Sequence, residues 1–155
     1  MMHKLTLVIP AKNESESLPK VLKELEHLKI KIIVVIPIED YLTRQSIKNF
    51  DCKIIEEKNG KGYGCALRTG IEKVDTEFFC IFNADGSFDP VYLDNMYDAL
   101  ENNNVDFIFC SRYEINGGSD DDTFITYIGN KIFTFLCNIL FRLNISDVLY
   151  TYVMG

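Results

Sequence analysis

Residues that could form a structural zinc site or a set of disulfide bonds are scarce in this chain of 155 residues. It has two histidines and no C-x-x-C pair, so the closely spaced ligands of a structural zinc site are lacking. The five cysteines are scattered and odd in number, and four lie within or beside apolar stretches. We therefore expect free, mostly buried thiols in a reducing compartment. They are Cys52, Cys65, Cys80, Cys110 and Cys137.

Basic residues and long apolar runs are also scarce. The chain has 16 Lys and Arg against 23 Asp and Glu, for a formal net charge of −7. An acidic surface argues against nucleic acid or a strongly anionic membrane as the main partner, although a few basic residues can still hold one phosphate group. Without a signal peptide or a run of about 18 apolar residues, we predict no membrane-spanning segment. We expect a cytoplasmic location, with the inner face of the membrane as the alternative.

Hydrophobic residues make up 47% of the chain, enough for a substantial core, and we expect one domain over residues 1–155. Apolar runs and helical spacing predict strands at 5–9, 30–36, 52–55, 77–82 and 105–110. Helices are predicted at 18–29, 41–50, from the loop at 59–64 to about 74, 91–101 and 124–143. This alternation predicts an α/β fold, a mainly parallel sheet with helices on both faces. The chain stops just after a new segment begins, so we expect a fragment or a short form.

Polar segments follow the predicted strands, at the edge where open α/β sheets bind ligands. They are Pro10 to Glu14, Pro37 to Asp40, Lys58 to Gly64, Asn83 to Gly86 and Ser111 to Tyr113.

Asp85 is the sharpest candidate among these residues. A carboxylate at a strand end can ligate Mg²⁺ or Mn²⁺, which prefer oxygen ligands. The competing interpretation is an ordinary turn closed by a side-chain hydrogen bond. In the glycine-rich loop, Lys61 can supply charge to a ligand, although the loop lacks the ending of a P-loop. Arg68 and Arg112 either reach the site or pair with acidic residues at the surface.

Several motifs occur in an order that resembles glycosyltransferase family 2, whose domain has the GT-A fold. V-I-P-A-K-N-E at residues 8–14 resembles the V-I-P-A-Y-N-E of the family. G-K-G-Y-G with A-L-R-T-G resembles its G-K-G and A-L-R-x-G, and N-A-D-G with D-P resembles its D-A-D-G and D-P. S-R-Y, G-N and I-S-D at residues 145–147 complete the series, which runs over nearly the whole chain.

The resemblance implies transfer of a sugar, with inversion, from a UDP- or GDP-sugar to a lipid-phosphate or glycan acceptor, as in the synthesis of cell-envelope polysaccharides. It also implies residue roles. Pro10, Ala11, Asn13 and Glu14 would line the nucleotide pocket, Lys61 and Arg68 would lie near the base or phosphates, Asp85 would hold Mg²⁺ or Mn²⁺ beside Asn83 and Ala84, and Arg112 and Asp147 would lie on the acceptor side.

The sequence departs from the family pattern at three places. The carboxylate expected after the second strand is missing, since Pro37 and Ile38 stand there, and Glu39 or Asp40 is the candidate substitute. Asn83 replaces the first aspartate of D-A-D, and Val153 replaces the arginine expected to hold a lipid phosphate. These losses favour, as an alternative, a non-catalytic relative that binds a nucleotide or a partner. A sugar-1-phosphate nucleotidyltransferase is a weaker alternative, because no glycine-rich signature follows the first strand.

The predicted helix at 124–143 is rich in aromatic residues. A core position or a missing partner domain explains them better than a cofactor does. Peripheral membrane contact is a further alternative, because Lys131 and Arg142 flank apolar positions. The acidic run at 120–122 is interpreted as a solvated loop rather than a cation site.

Overall fold

The computed structural model describes residues 2–58, 62–103, 105–114 and 123–155, and all structural statements concern these residues. Their strands form one mixed sheet in the order β3-β2-β1-β4-β6-β5. The strands are β1 (Leu5–Pro10), β2 (Lys31–Pro37), β3 (Lys53–Glu57), β4 (Phe78–Ile81), β5 (Ile108–Phe109) and β6 (Val153–Met154). The helices are α1 (Leu18–Leu25), α2 (Tyr41–Ser46), α3 (Tyr63–Ile71), α4 (Tyr92–Asn102) and α5 (Phe124–Phe141). The predicted α/β class with a mainly parallel sheet is confirmed.

The larger core lies on one face of the sheet. Successive side chains of a strand point to opposite faces, so alternate residues of β1 and β2 reach this core. Helices α1 and α4 cover it with apolar residues at helical spacing. The core includes Leu5, Leu7 and Ile9 of β1, Ile32, Val34 and Ile36 of β2, Leu18, Val21, Leu22 and Leu25 of α1, and Leu93, Met96, Tyr97 and Leu100 of α4.

Helix α3 covers the opposite face of the same strands. Ala66 of α3 packs with Ile33 and Val35 of β2 in a smaller buried cluster. The contact is close at Gly70, where an added Cβ would lie 2.4 Å from Cγ1 of Val8. Glycine at this position therefore lets the helix approach the sheet, and its N-terminal end lies over the carboxyl ends of β1 and β2.

Several boundaries differ from the predicted ones because they depend on pairing rather than on local pattern. Strand β5 covers two residues instead of the predicted six, since its partner β6 is equally short and the two pair as Ile108 with Met154. Strand β6 was not predicted, and it runs antiparallel between β4 and β5. Strand β3 extends to Glu57, two residues past the predicted end. Helix α1 ends at Leu25 and continues as a 3₁₀ turn to Leu28.

Helix α5 lies mostly outside the core. Its buried residues are two polar ones, Asn130 and Thr134, while Phe124 is 78% exposed and Phe141 is 68% exposed. The core interpretation of its aromatic residues is therefore wrong for this chain. By length and composition alone, α5 is the one helix in the described part of the chain that could cross a membrane.

All five cysteines are free, as predicted. Only Cys80 is buried, however, and the other four are half-buried, so the expectation of mostly buried thiols is wrong. Burial raises the pKa of Cys80 far above its usual range and also raises those of Cys52 and Cys110. Burial thus disfavours the thiolate form of these three cysteines.

Candidate functional site at the carboxyl edge of the sheet

A cavity of 330 Å³ opens where β1, β2, β3 and β4 end. The segments after β1 and β4 and the start of α3 surround it. Its lining is Pro10, Ala11, Lys12, Glu14, Val35, Pro37, Glu57, Gly62, Tyr63, Ala66, Asn83, Ala84 and Asp85. A larger cavity of 820 Å³ lies at the opposite edge, among the first residues of β2 and β3. The smaller cavity is the candidate site, because ligands of open α/β sheets bind at the carboxyl ends of the strands.

The segment after β1 is fixed to the N-terminus of α2. Asn13 has a φ of 61°, a left-handed conformation that asparagine adopts more readily than most residues. Its backbone N–H donates to Oδ2 of Asp40 at 2.6 Å, and the N–H of Glu14 donates to Oγ1 of Thr43 at 2.9 Å. The other carboxylate oxygen of Asp40 caps α2 by accepting from the N–H of Thr43 at 3.2 Å.

Asp40 is therefore a structural carboxylate. Burial alone would raise its pKa, but hydrogen bonds from Asn13 and Thr43 and the charge of Arg44 outweigh burial and lower the pKa. Glu39, the other candidate substitute for the family carboxylate, is exposed and is not part of the cavity lining. Neither residue offers the cavity a free carboxylate.

Glu57, which is not among the predicted site residues, supplies such a carboxylate. The residue is 6% exposed, lines the cavity, and its Oε1 has no hydrogen-bond partner among the described residues. Its position follows from pairing, because β3 lies parallel to β2 with Glu57 opposite Pro37. An acidic residue at the carboxyl end of a strand was the available signal, but the predicted strand stopped at Ile55.

The turn after β4 forms the other wall of the cavity. Oδ1 of Asp85 accepts the N–H of Ser87 at 2.9 Å, and Gly86 takes a φ of 83°, which favours glycine. The amide of Asn83 is engaged on both sides: its oxygen accepts from the Tyr63 hydroxyl at 3.3 Å and its nitrogen donates to the Ser87 hydroxyl at 2.9 Å. Asp85 is thus the exposed anionic group of this turn.

The oxygen chemistry of Asp85 fits a divalent cation. Mg²⁺ and Mn²⁺ sites on nucleotides often use one or two carboxylates and complete their coordination with substrate phosphates and water. The described residues contain no cluster of three His, Cys, Asp or Glu side chains that could hold a metal ion by themselves. A cation at Asp85 would therefore depend on oxygens from a bound ligand.

The two basic candidates on the α3 side differ in their placement. Lys61 lies outside the described residues. Arg68 is exposed, does not line the cavity, and its Nε donates to Oε1 of Glu72 at 2.9 Å along the helix surface. The hydrogen bond and charge of Glu72 raise the pKa of Arg68. Arg68 thus forms a pair with an acidic residue at the surface, outside the lining of the cavity.

Arg112 and Asp147, the two acceptor-side candidates, lie together beside α5. Nε of Arg112 donates to Oδ2 of Asp147 at 2.8 Å, and Nη2 donates to Oδ1 at 3.1 Å. Asn130 of α5 donates to the same carboxylate at 2.7 Å. The guanidinium also lies 5.3 Å from the ring centroids of Tyr113 and Tyr150.

Within the Arg112–Asp147 pair, the carboxylate of Asp147 is fully buried and the guanidinium of Arg112 is partly exposed. Burial would raise the pKa of Asp147, but the hydrogen bonds from Arg112 and Asn130 and the charge of Arg112 lower it. Thr134 extends the network by donating to Asn130 at 3.0 Å and accepting from the N–H of Val148 at 3.2 Å. The network connects α5 with the segment that leads to β6.

Two glycosyltransferases of known structure have a fold similar to that of this chain. Glucosyl-3-phosphoglycerate synthase from Mycobacterium tuberculosis, in complex with Mn²⁺, UDP-glucose and phosphoglyceric acid, superposes with a TM-score of 0.73 over 97% of this chain and 55% of that one, at 14% identity. A mannosyltransferase from Pyrobaculum calidifontis, in complex with GDP-Man and Mn²⁺, superposes with a TM-score of 0.62. The match covers 70% of this chain and 35% of that one, at 20% identity.

These likenesses establish the GT-A fold. The chain spans about half or less of the length of these two relatives. A family model, Glycosyl transferase family 2, matches residues 6–155, which is nearly the whole chain and includes every wall of the cavity. The chain belongs to glycosyl transferase family 2.

Proposed function

We propose that this chain binds a UDP- or GDP-sugar in the carboxyl-edge cavity and transfers the sugar, with inversion and metal assistance, to a lipid-phosphate or glycan acceptor. The observation that carries the proposal is the cavity itself, which brings the ends of β1 to β4 together with Asp85 in its lining. The relatives solved with GDP-Man or UDP-glucose, each with Mn²⁺, support the donor class.

The walls of the cavity have the composition of a nucleotide site. Pro10, Val35, Pro37 and Ala66 offer apolar surface to a flat base. The N-terminal end of α3 begins at Tyr63 beside the cavity, and the N-terminal end of a helix favours anionic groups. A nucleoside diphosphate placed with its base toward β2 and β3 would have its phosphates toward α3 and Asp85.

Asp85 is the residue that would hold Mg²⁺ or Mn²⁺, together with oxygens of the donor diphosphate. Such a cation would supply positive charge that neutralises the leaving diphosphate. Asp85 itself is preset for this role, because the N–H of Ser87 fixes the orientation of its carboxylate. Asn83 contributes no charge, and its contacts with Tyr63 and Ser87 instead hold the turn against α3.

The acceptor is proposed to approach on the side of Arg112 and Asp147. Inverting transfer needs a base or an acceptor that is already ionised, such as a phosphate. No base is assigned among the described residues. A location in the cytoplasm or at the inner face of the membrane would give the chain access to nucleotide-sugars and to lipid-linked acceptors.

A donor panel tests the proposal. Thermal melting is followed with UDP- and GDP-sugars at saturating Mn²⁺, and release of the nucleoside diphosphate is assayed with phosphate and glycan acceptors. We expect at least one donor to raise the melting temperature in the presence of Mn²⁺, and Asp85→Asn to abolish that rise. Asp98→Asn, an exposed carboxylate on α4 outside the cavity, is the matched control. No shift with any donor would contradict the proposal.

The same panel separates the alternative of a non-catalytic nucleotide-binding relative. The presence of one exposed carboxylate in the β4 turn, where the family pattern has two, favours that alternative. This alternative predicts a Mn²⁺-dependent shift in melting temperature but no turnover of the donor in the presence of any acceptor. Turnover that disappears in Asp85→Asn would exclude it.

A further inference from the structure

Glu57 is the one described side chain with a buried polar atom that has no hydrogen-bond partner. An ionised carboxylate is costly to remove from water unless hydrogen-bond donors replace the lost solvent. The residue is 94% buried by area, being 6% exposed, and it belongs to the lining of the carboxyl-edge cavity. A ligand that fills this cavity therefore lies beside a carboxylate whose Oε1 has no hydrogen-bond partner among the described residues.

The surroundings of Glu57 indicate which part of a ligand it meets. It lies opposite Pro37 in the pairing of β3 with β2. Ile55, two residues earlier in β3, packs against the buried cluster that contains Ile33, Val35 and Ala66. Pro37 and Val35 also line the cavity. An apolar slot that ends in one carboxylate suits a flat heteroaromatic ring with N–H groups on its edge, rather than a phosphate, which the carboxylate would repel.

Nearby acidic residues do not compete for this role. The carboxylate of Asp40 already accepts hydrogen bonds from the N–H groups of Asn13 and Thr43. Glu39 is exposed to solvent and does not line the cavity. Glu14 accepts a hydrogen bond from the hydroxyl of Ser17. Asp85 lies in the turn after β4, on the far side of β1 in the strand order.

We propose that Glu57 recognises the nucleobase of the donor by accepting a hydrogen bond from the ring N–H of uracil or guanine. This inference rests on the proposed nucleotide-sugar function. Uracil carries one N–H in its ring and guanine carries a ring N–H next to an amino group, whereas the corresponding ring nitrogens of cytosine and adenine are acceptors. Glu57 thus selects for UDP or GDP donors and against CDP and ADP donors.

The test uses isothermal titration of the 155-residue chain with UDP, GDP, CDP and ADP in the presence of Mn²⁺. We expect UDP or GDP to bind most tightly. Glu57→Gln should weaken that nucleotide about tenfold, because a charged acceptor forms the stronger hydrogen bond, and should leave binding of Mn²⁺-pyrophosphate unchanged. Glu56→Gln is the matched control, since Glu56 is the preceding strand residue and pairs with Arg44 at 2.9 Å.

A second measurement removes the N–H from the ligand instead of the carboxylate from the protein. Methylation of the ring nitrogen of the preferred base should weaken binding to the unmodified chain, and this penalty should shrink in Glu57→Ala. Thermal melting without ligand checks that the variants are folded; Glu57→Gln should melt close to the unmodified chain, because the two side chains have nearly the same size and shape.

The outcomes separate this inference from the function on which it rests. If UDP or GDP binds and Glu57→Gln binds it equally well, the role of Glu57 is overturned and the proposed function stands. If CDP or ADP binds most tightly, the selectivity is overturned. If no nucleoside diphosphate binds the unmodified chain, both proposals fail together.

Discussion

The carboxyl edge of the sheet and the region around α5 differ in how their buried polar side chains are paired. At the carboxyl edge, Glu57 is buried in the lining of a cavity, and its Oε1 has no hydrogen-bond partner among the described residues. Beside α5, the buried Asn130 bonds to both Thr134 and Asp147, and Asp147 also accepts two hydrogen bonds from the guanidinium of Arg112 and a longer one from its backbone N–H.

This difference in hydrogen bonding distinguishes a group that can bind a ligand from groups that stabilise the fold. A polar group that is satisfied within the protein stabilises the fold, whereas an unsatisfied one at a cavity is available to a ligand. The Arg112–Asp147 pair therefore holds α5 and the chain leading to β6 in place. Any contact of this pair with an acceptor is additional to that structural role.

The largest expected effect on stability is that of removing the Asp147 carboxylate. Asp147→Ala removes the buried carboxylate that accepts two hydrogen bonds from the guanidinium of Arg112, and removal of one member of a buried pair costs about 3–5 kcal/mol. We expect the free energy of unfolding in urea to fall by that amount. Glu72→Ala, which breaks the exposed pair with Arg68, should leave it unchanged. Equal effects of the two substitutions would contradict a structural role for the buried pair.

A smaller effect is expected at the contact between α3 and the sheet. Gly70→Ala places a methyl group 2.4 Å from Val8 and 3.0 Å from Val35, so the helix must shift, at a cost of about 1–3 kcal/mol. Gly64→Ala in the first turn of the same helix meets no atom within 4 Å and should be neutral or slightly stabilising. Chemical denaturation of both variants checks the difference, and a neutral Gly70→Ala would show that the close approach is not required.

Acid should weaken the paired region in a predictable direction. The pKa of Asp147 is lowered in the folded state, so this group adds stability above its unfolded pKa of about 3.9 and loses that contribution as the pH falls through the folded value. The free energy of unfolding should therefore drop below about pH 4. Asp147→Asn should reduce this slope, leaving the part contributed by Asp40, whose pKa is also lowered. An unchanged slope would exclude Asp147 as a contributor.

The smallest expected effect concerns Arg68. Because its guanidinium pairs with Glu72 outside the cavity, Arg68→Ala should change the Kd of a nucleoside diphosphate by less than about twofold. Titration calorimetry measures this directly, with Glu57→Gln as the variant expected to lose affinity. A tenfold loss in Arg68→Ala would mean that the side chain reaches the ligand, as the family resemblance implies.

Local pattern was sufficient to predict most helices and the inner strands. The buried runs of β1 and β2 and the apolar stripes of α1 and α4 repeat at the periods of a strand and a helix, so their positions follow from the residues alone. Strand β6 has no such pattern: two residues, Val153 and Met154, join the sheet because β4 and β5 each offer an edge.

The candidate site was predicted as a location but not in all its residues. The turn at Asn83 and Asp85 follows from its place after a strand. The separate roles of Glu39, Asp40 and Glu57 depend on tertiary contacts: the loop after β1 occupies Asp40, and the pairing of β3 with β2 brings Glu57 to the cavity. Their spacing along the sequence carries no information on either contact.

We propose that Asp85 and a nucleoside diphosphate together bind a divalent cation at the carboxyl edge. Electron paramagnetic resonance of Mn²⁺ measures this directly, since the signal of free Mn²⁺ is lost on binding. With UDP or GDP present, we expect saturable Mn²⁺ binding to the unmodified chain, beyond that of the nucleotide alone. That binding should disappear in Asp85→Asn and persist in Asp98→Asn. Equal Mn²⁺ binding by Asp85→Asn and the unmodified chain would contradict the account.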